Sequence, residues 1–466
     1  MDSQSTLYIG TIIHSLALGK LEVLEKGAIV VGTNGVIEKV VEAAQVATLK
    51  KSSSINVVDL GHRLIIPGFV DGHVHAPQYS FVGTGMELPL LDWLNKYTFP
   101  SEAKFKDPVY ARSQYRTAVA RFLTNGTTTA SYFATIHLES TKILADIVHE
   151  VGQRGIIGKV NMDRNSPDFL VETTSQSIKD TKEFVAHVLG KRDPLVQPVI
   201  TPRFVPSTSS KLMTSLGEIS ASHDPKIRVQ SHLSENKNEI KWVGEMHPEC
   251  GSYADVYNQH GLLHERSYMA HCIWCSYGER ELLRDKGVGI IHCPNSNFSL
   301  SSGALNVRRM LDEGLKVGLG SDVAGGFSPS MLDALRQSIT ASKMVSIGQG
   351  SDGDDLESPT AGIGSIKQYE ALSYAEAFHL ATVGGAECLS LGDTVGNFLP
   401  GKDFDALIID PKVEGSPVDV FEGDSSLDIF QRFLFLGDDR NIEQVFVAGK
   451  NRKTQKLRDM LAASLK

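Results

Sequence analysis

The segment PGFVDGHVHAPQYSF (67–81) places two histidines, His73 and His75, one residue apart directly after a short apolar run. Alternate residues of an extended strand face the same side, so the two imidazoles project together. Two imidazoles in this position can bind one metal ion, although a single histidine is more often a structural residue than a ligand. The segment therefore predicts a buried strand with a candidate metal site at its end.

The same pattern of short apolar strand, loop and longer helical stretch continues through residues 66–390. Strands that alternate with helix-length segments indicate parallel βαβ units. Eight such units predict an α/β fold with a closed (β/α)8 TIM barrel, whose active site lies at the C-terminal ends of the strands. The eight predicted strands are LIIPGFVD (64–71), GTTTASYF (126–133), GIIGKVNMD (155–163), VQPVITPRF (196–204), KIRVQSHL (226–233), SYMAHC (267–272), GVGIIHC (287–293) and LKVGLGSD (315–322).

The two chain ends predict a second, smaller β domain. Residues 1–65 contain β-rich runs, and the pair Asn34 and Gly35 is a hairpin-turn signal between them. Residues 391–466 return to a hairpin-like β pattern and finish in a short helix of mixed charge. We expect the N-terminal and C-terminal segments to build one small β-sandwich beside the barrel of residues 66–390.

Composition narrows the functional classes. The 466 residues are 41% hydrophobic and 22% charged, with a formal net charge of -9 at pH 7. Without a basic surplus, binding to nucleic acid or to an anionic membrane is not expected, and a small neutral or cationic substrate fits better. The sequence shows no basic leader followed by an apolar segment and no run of ~18 apolar residues. The five cysteines form an odd, unevenly spaced set that favours reduced thiols, which predicts a cytosolic protein.

Further metal-competent side chains end other predicted strands. His232 ends the fifth strand, His271 the sixth and Asp322 the eighth. Since strand ends meet at one face of a barrel, these side chains are expected to converge with His73 and His75. Imidazoles and one carboxylate without a thiolate favour zinc, although iron or manganese could occupy the same site. Zinc would lower the pKa of a bound water to about 7 and supply a hydrolytic nucleophile.

Glu235 lies three residues after His232, where a loop or a first helical turn would hold it beside the metal without coordinating it. A carboxyl group in that place could act as a proton shuttle. First helical turns also carry such carboxylates for structural reasons alone. The neighbouring candidate ligands favour the catalytic role.

Seven motifs of the chain resemble the amidohydrolase superfamily and, within it, its guanine-acting branch. The likeness covers essentially the whole sequence. His-x-His with a later Asp is typical of the superfamily, whereas HAPQY together with TPRF is specific to the branch. The motifs are PGFVDGHVHAPQYSF (67–81), MDRNSP (162–167), TPRFVPS (201–207), SHLSEN (231–236), AHCIWC (270–275), HCPNSN (292–297) and LGSDVAGG (319–326).

The resemblance implies a hydrolase with one zinc ion per subunit that converts guanine to xanthine and ammonia, usually as a homodimer. The implied zinc ligands are His73, His75, His232 and Asp322. The implied catalytic residues are Glu235, Asp322 and His271, with His271 steering the attacking water. The implied substrate-binding residues are His75, Gln78, Arg203, Phe204, His232, Glu235, His271 and Asp322.

Three of these residues have structural alternatives. Gln78 could cap a loop, Arg203 could pair with a carboxylate of the barrel, and Phe204 could be a core residue. A different nitrogen heterocycle, such as a triazine or an adenosine-like compound, would use the same nucleophile. A non-catalytic scaffold descended from such enzymes is the alternative from another class.

A second zinc-deaminase pattern, His-x-Glu with a later Pro-Cys-x-x-Cys, has a partial match in HLE (137–139) and CIWC (272–275). The match is poor, because His271 rather than proline precedes Cys272. His137 also follows the second strand, far from Cys272 in the sequence. We interpret Cys272 and Cys275 as small packed residues.

Two segments have no assigned element. MELPLLDWLNKYTFPSEAKF (86–105) predicts a loop with a short helix over the barrel mouth, either as a lid or through core packing of Trp93 and Phe99. IGQGSDGDDLESPTAGIGS (347–365) is acidic and rich in Gly and Ser, which predicts a mobile surface loop.

Overall fold

The computed structural model describes residues 4–51, 54–351 and 369–463, and these form two sheets surrounded by helices. Sixteen strands occur in the described residues. Strands β1 to β4 are Ser5–Ala17, Lys20–Val31, Ile37–Val41 and Ile55–Pro67; β5 to β13 are Phe69–His75, Thr127–Phe133, Arg154–Gly158, Val160–Asn161, Val196–Pro202, Arg228–Leu233, Ser267–His271, Gly289–His292 and Lys316–Leu319; β14 to β16 are Ala406–Ile409, Ile442–Val447 and Lys450–Asn451.

The α-helices connect these strands and cover the sheets. Those in the described residues, α1 to α17 in chain order, are Ala43–Leu49, Leu90–Trp93, Phe99–Ala103, Pro108–Thr124, Leu138–Val151, Thr174–Gly190, Ser210–Ala221, Lys237–Met246, Tyr253–Gln259, Tyr277–Asp285, Pro294–Ser299, Val307–Asp312, Met331–Ser351, Tyr374–His379, Gly385–Cys388, Ser426–Leu436 and Gln455–Ala463.

The larger sheet is a parallel barrel. Its strand order is β13-β12-β11-β10-β9-β7-β6-β5, and β8 continues β7 along β9. The two ends of this order meet where the N–H of Asp322 donates to the carbonyl of His73 (2.9 Å) and the N–H of His75 donates to the carbonyl of Val323 (3.0 Å). The predicted eight-stranded α/β barrel is therefore confirmed, and the bonds that join its first and last strands come from the predicted site residues.

The first predicted strand, LIIPGFVD, is wrong in its extent. The structure divides it between β4, which ends at Pro67, and β5, which begins at Phe69. Pro67 pairs with Ala406 in the terminal sheet, so the chain passes from one sheet to the other at Gly68. A side chain could not occupy that position, because a Cβ on Gly68 would lie 2.2 Å from the side chain of Thr128.

Both chain ends contribute to the smaller sheet, as predicted. Its order is β16-β15-β14-β4-β1-β2-β3, in which β2 and β3 pair antiparallel around the predicted turn at Asn34 and Gly35. Gly35 adopts a φ of 83°, which glycine tolerates best. The sheet curls around an apolar cluster drawn from both ends of the chain: Ile12, Ile29, Val31, Ile37, Leu60, Ile65, Phe398, Phe404, Ala406, Ile408 and Phe446.

The C-terminal segment also covers the barrel. On α16, the ring of Phe430 lies 5.0 Å from that of Phe378, and Nε of Arg336 on α13 donates to the carbonyl of Leu434 (2.8 Å). Residues 391–466 thus supply both sheet strands and a helix that packs on the barrel. The predicted domain boundaries stay a prediction.

None of the described helices is both long and apolar enough to span a bilayer. The predicted surface loop 347–365 lies mostly outside the described residues, since α13 is described only to Ser351.

Candidate active site

Four strand ends bring the candidate metal-binding side chains into one buried cluster. His73 and His75 end β5, His232 lies on β10, His271 ends β11, and Asp322 follows β13. All are buried except His232, which is half-buried. The sequence produces this arrangement because each short apolar strand delivers its last polar residue to the same face of the barrel.

The donor atoms of the cluster lie within a few ångströms of one another. Nε2 of His75 lies 3.2 Å from Nε2 of His232. Oδ1 of Asp322 lies 3.2 Å from Nε2 of His73 and 3.6 Å from Nε2 of His75. Nε2 of His271 lies 3.7 Å from Oδ2 of Asp322. The convergence expected from the strand ends is therefore present in the structure.

Two residues of the cluster adopt unusual backbone angles. His271 has a φ of 69° and Asp322 a φ of 46°. Residues other than glycine rarely occupy this left-handed region, and when they do they concentrate at functional sites. The strain at both positions turns the side chain at the strand end toward the cluster.

Hydrogen bonds fix the orientation of two imidazoles. Nδ1 of His232 donates to the carbonyl of Arg203 (2.6 Å), which leaves the Nε2 lone pair facing the cluster. Nδ1 of His271 lies 2.9 Å from Oδ1 of Asn297. Such partners on the far nitrogen are typical of histidines whose other nitrogen binds a metal or a reacting group.

The cluster fits a divalent metal ion. Burial lowers the pKa of His75 and His232 well below the usual value, so these imidazoles are neutral, the form that coordinates metal. Nε2 of His73 is buried and makes no well-formed hydrogen bond among the described residues, although Oδ1 of Asp322 lies 3.2 Å away. A cation bound by both this nitrogen and the carboxylate would satisfy the two buried groups. The ligand atoms of His73, His75 and His232 are close enough to share one ion, and so are those of His73, His271 and Asp322. Asp322 also lies near His75, so His73, His75, His232 and Asp322 are residues that could hold the ion.

Glu235 lies beside this cluster, one residue before the N-cap of α8. Its Oε2 is 3.6 Å from Nε2 of His271, and its Oε1 accepts a hydrogen bond from the hydroxyl of Ser302 (2.9 Å). Burial raises the pKa of the Glu235 carboxyl group, an effect to which the charge of Asp322 adds. A buried carboxyl with a raised pKa next to a metal cluster is suited to accept and deliver protons.

Residues 64–452 of the chain match the sequence profile of the Amidohydrolase family. The chain belongs to the amidohydrolase family.

Several relatives that the chain matches over nearly its full length are guanine deaminases. The guanine deaminase of Dictyostelium discoideum is 47% identical over 459 residues, which cover 96% of this chain and 98% of that protein. That of Mus musculus is 43% identical over 454 residues, 95% and 96% of the two chains. The solved structure of guanine deaminase from C. acetobutylicum with bound guanine in the active site has a TM-score of 0.86 and 37% identity, covering 96% of this chain and 100% of that one. The predicted family membership is confirmed.

A polar pair that follows β5 and β9 faces the same pocket. Gln78 and Arg203 are both buried and line the pocket. Each donates to the carboxylate of Glu102: Nε2 of Gln78 to Oε1 (2.9 Å) and Nη1 of Arg203 to Oε2 (2.7 Å). Arg203 thus forms an ion pair with a buried carboxylate, as its structural alternative expected. It also lines the pocket.

Apolar side chains form the rest of the pocket wall. Phe204 is half-buried, and its ring centroid lies 6.4 Å from that of Trp242. Phe204 therefore faces the pocket and is not an enclosed core residue. The other apolar lining residues are Leu90, Leu91, Trp93, Leu94 and Leu300. This wall suits a flat ring, because aromatic and aliphatic surfaces pack well on a ring face.

The segment 86–105 forms part of the pocket wall. Trp93 is 2% exposed, and its Nε1 donates to the carbonyl of Thr84 (3.2 Å). Phe99 packs in an apolar cluster with Phe133, the residue whose ring lies 4.8 Å from that of His73. Both aromatic residues thus pack in the interior, as one of the two interpretations expected. A lid role for the segment stays a prediction.

Sequence reasoning missed three buried polar contributors. Glu102 bridges Gln78 and Arg203, and Asp71 accepts bonds from the N–H of His73 (3.2 Å) and the N–H of Ser321 (3.0 Å). Asn297 holds His271. Asn297 belongs to the quoted motif HCPNSN and Asp71 to the first predicted strand, so both had a local signal. Glu102 lies in none of the quoted motifs and had no local signal in the sequence.

The rival zinc-deaminase pattern is not assembled. Cys272 and Cys275 are buried, and a hydrogen bond with Cys272 together with burial raises the pKa of the Cys275 thiol well above its usual value. Burial lowers the pKa of His137 to about 4. None of these three belongs to a metal-competent group within the described ranges. All five cysteines of the chain lie in those ranges and are free thiols, in agreement with the prediction of reduced thiols. Cys272 and Cys275 are buried, as their interpretation as packed residues expects.

Proposed function

We propose that the protein is a guanine deaminase that hydrolyses guanine to xanthine and ammonia with one zinc ion per subunit. The observation that carries the proposal is the shared pocket: the imidazole-carboxylate cluster, the carboxyl group of Glu235 and the donors of Gln78 and Arg203 all face one cavity. The near full-length likeness to guanine deaminases supports the choice of substrate.

The proposed zinc ligands are His73, His75, His232 and Asp322. Three neutral imidazoles and a carboxylate without a thiolate suit zinc. When bound, zinc lowers the pKa of a coordinated water to about 7, so that a hydroxide nucleophile is available at neutral pH.

Three residues orient the base. Gln78 and Arg203 direct N–H donors into the pocket, where they can bond to the two acceptors on the O6 and N7 edge of guanine. Phe204 packs on the flat face of the ring. When Gln78 and Arg203 bind that edge, C2 and its amino group point toward the imidazole-carboxylate cluster. The reacting atoms are thus oriented for attack before the chemical step begins.

The acidic residues and His271 carry the protons. Glu235 delivers a proton to N3 as the C2–O bond forms, and Asp322 receives the proton that the attacking water releases. His271, held by Asn297, donates a hydrogen bond to the oxygen at the tetrahedral carbon. In the second step Glu235, now ionised, takes the proton of the C2 hydroxyl, and Asp322 passes its proton to the amino group. The C2–N bond breaks, the amino group leaves as ammonia, and both carboxyl groups return to their starting states. One water is consumed for each xanthine formed.

The decisive experiment joins metal analysis of the purified protein to an assay of guanine conversion by ultraviolet absorbance and ammonia release. We expect about one zinc per chain and loss of guanine with equal release of ammonia. Adenine, cytosine and a triazine serve as competing substrates. Faster hydrolysis of one of these would replace guanine by another nitrogen heterocycle, and a folded protein without metal or turnover would favour a non-catalytic scaffold.

We also propose a cytosolic location and a homodimeric assembly. The five free thiols support a reducing compartment. The dimer rests on the resemblance to the guanine-acting branch, and the mass of the protein in solution tests it.

A further inference from the structure

Glu102 is a fully buried carboxylate at the wall of the proposed guanine pocket. It lies on the short helix α3, and its two oxygens accept separate bonds from Gln78 (2.9 Å) and Arg203 (2.7 Å). The guanidinium of Arg203 also lies over the ring of Phe99, which begins the same helix, at 5.5 Å. The single turn of α3 therefore contacts both Gln78 and Arg203, the two donors of the proposed guanine pocket.

The hydrogen bonds of the Gln78 side chain define the orientation of its amide group. Nε2 donates to Glu102, and Oε1 accepts from the backbone N–H of Ala324 (3.2 Å). With its oxygen directed to Ala324 and one N–H directed to Glu102, the amide has its second N–H free for a ligand. Without the carboxylate, only the bond from Ala324 would hold the amide in this orientation.

Stability alone gives a poor reason for this ion pair. Replacing a buried pair by apolar residues is often neutral or stabilising, because the desolvation of two charges offsets their attraction. A carboxylate that accepts from two pocket-lining side chains instead has a direct effect on what the pocket recognises, since it fixes the position of the Arg203 guanidinium and helps to orient the Gln78 amide.

We propose that Glu102 is a positioning residue that sets the base specificity of the pocket. By holding the Gln78 amide in one orientation and the Arg203 guanidinium in one position, it selects a ring edge with two acceptors, such as O6 and N7 of guanine, and rejects an edge that carries an exocyclic amino group. The inference rests on the proposed function and assigns Glu102 no contact with the reacting atoms.

The test compares Glu102→Gln with the wild type using two unreactive competitors. Hypoxanthine carries O6 but has no 2-amino group to lose, and purine lacks both. We expect the inhibition constant of hypoxanthine to rise about 10- to 100-fold, the range of a lost hydrogen bond to a charged group. That of purine should change less than about 3-fold, because it lacks the O6 acceptor. For guanine, KM should rise more than kcat falls.

Glu313→Gln is the matched control. Glu313 accepts bonds at 2.6 and 3.0 Å from the buried Arg280, and neither residue lines the pocket. The same chemical change there should leave both inhibition constants as in the wild type. If Glu102→Gln does not fold, Glu102→Asp, which keeps the charge but shortens the reach, should raise the hypoxanthine constant in the same direction.

Equal weakening of hypoxanthine and purine, or no change in either, would overturn the inference and leave Glu102 a structural residue. Failure of the proposed function gives a different result, because the wild type itself would then release no ammonia from guanine.

Discussion

Oδ1 of Asp322 lies 3.2 Å from Nε2 of His73, and the two residues belong to the last and first strands of the barrel. The same residues also share a backbone hydrogen bond of 2.9 Å. The closure of the barrel and the assembly of the donor cluster are therefore a single structural event.

Asp322→Asn should lose both metal and activity. The substitution removes the carboxylate of the cluster and the proton acceptor, so we expect zinc content after dialysis to fall and guanine turnover to drop by about 100-fold or more. Elemental analysis and the guanine assay measure the two effects. Asp410→Asn, which alters a carboxylate paired with His62 in the terminal sheet, should preserve both. Full zinc with full turnover in Asp322→Asn would contradict its double role.

Glu235→Gln should separate metal binding from catalysis. The amide keeps the size of the side chain and its bond with Ser302 but cannot deliver the proton to N3. We expect unchanged zinc content and a turnover of guanine lowered by about 100-fold or more. Glu313→Gln, the same substitution at a glutamate outside the pocket, serves again as the control and should keep the turnover of the wild type. A turnover near that of the wild type would remove Glu235 from its role.

The pH dependence of stability should contain a contribution from Glu239. Burial, and next the charge of Glu235, raises the pKa of this carboxyl group from 4.5 to about 7. Between these two values the folded protein holds a proton that the unfolded chain has released. Stability from this group therefore falls as the pH rises through that window.

Glu239→Gln should reduce that fall. We expect the decrease in Tm between pH 5 and pH 8 to be smaller in the variant by a few degrees, on the order of the shift that a change of 1 to 2 kcal/mol gives in a protein of this size. Thermal unfolding at the two pH values measures it. Identical decreases in variant and wild type would show that Glu239 is ionised throughout.

The double variant Cys272→Ala and Cys275→Ala should retain its zinc. Both thiols are buried beside β11 and lie outside the donor cluster, so their loss should lower Tm through packing defects alone. Elemental analysis decides between the two zinc patterns. Loss of the metal with a native fold would favour the Cys-x-x-Cys alternative.

The strand ends were readable from the sequence because the barrel imposes a local rule. Within the repeated strand, loop and helix pattern, a short apolar run such as SYMAHC indicates a buried strand, and its last polar residue, His271, then lies at the common end of the barrel. The same rule located His232 and Asp322. It failed at LIIPGFVD, where the Pro67-Gly68 pair marks the change of sheet and was read as part of one strand.

Glu102 was not readable, because nothing local distinguishes it. A glutamate in the first turn of a short helix is ordinary. Its importance arises only where α3 meets the ends of β5 and β9, so that Gln78 and Arg203 reach it from segments distant in the sequence. Roles that depend on three separate segments leave no pattern within any one of them.

The joint between β5 and β13 has a consequence during synthesis. The ribosome releases His73 and His75 early, but their partner Asp322 follows the last barrel strand, Lys316–Leu319. A nascent or truncated chain that lacks this strand has imidazoles without the carboxylate and a sheet without its final neighbour. The donor cluster is therefore complete only after the last barrel strand has joined the first.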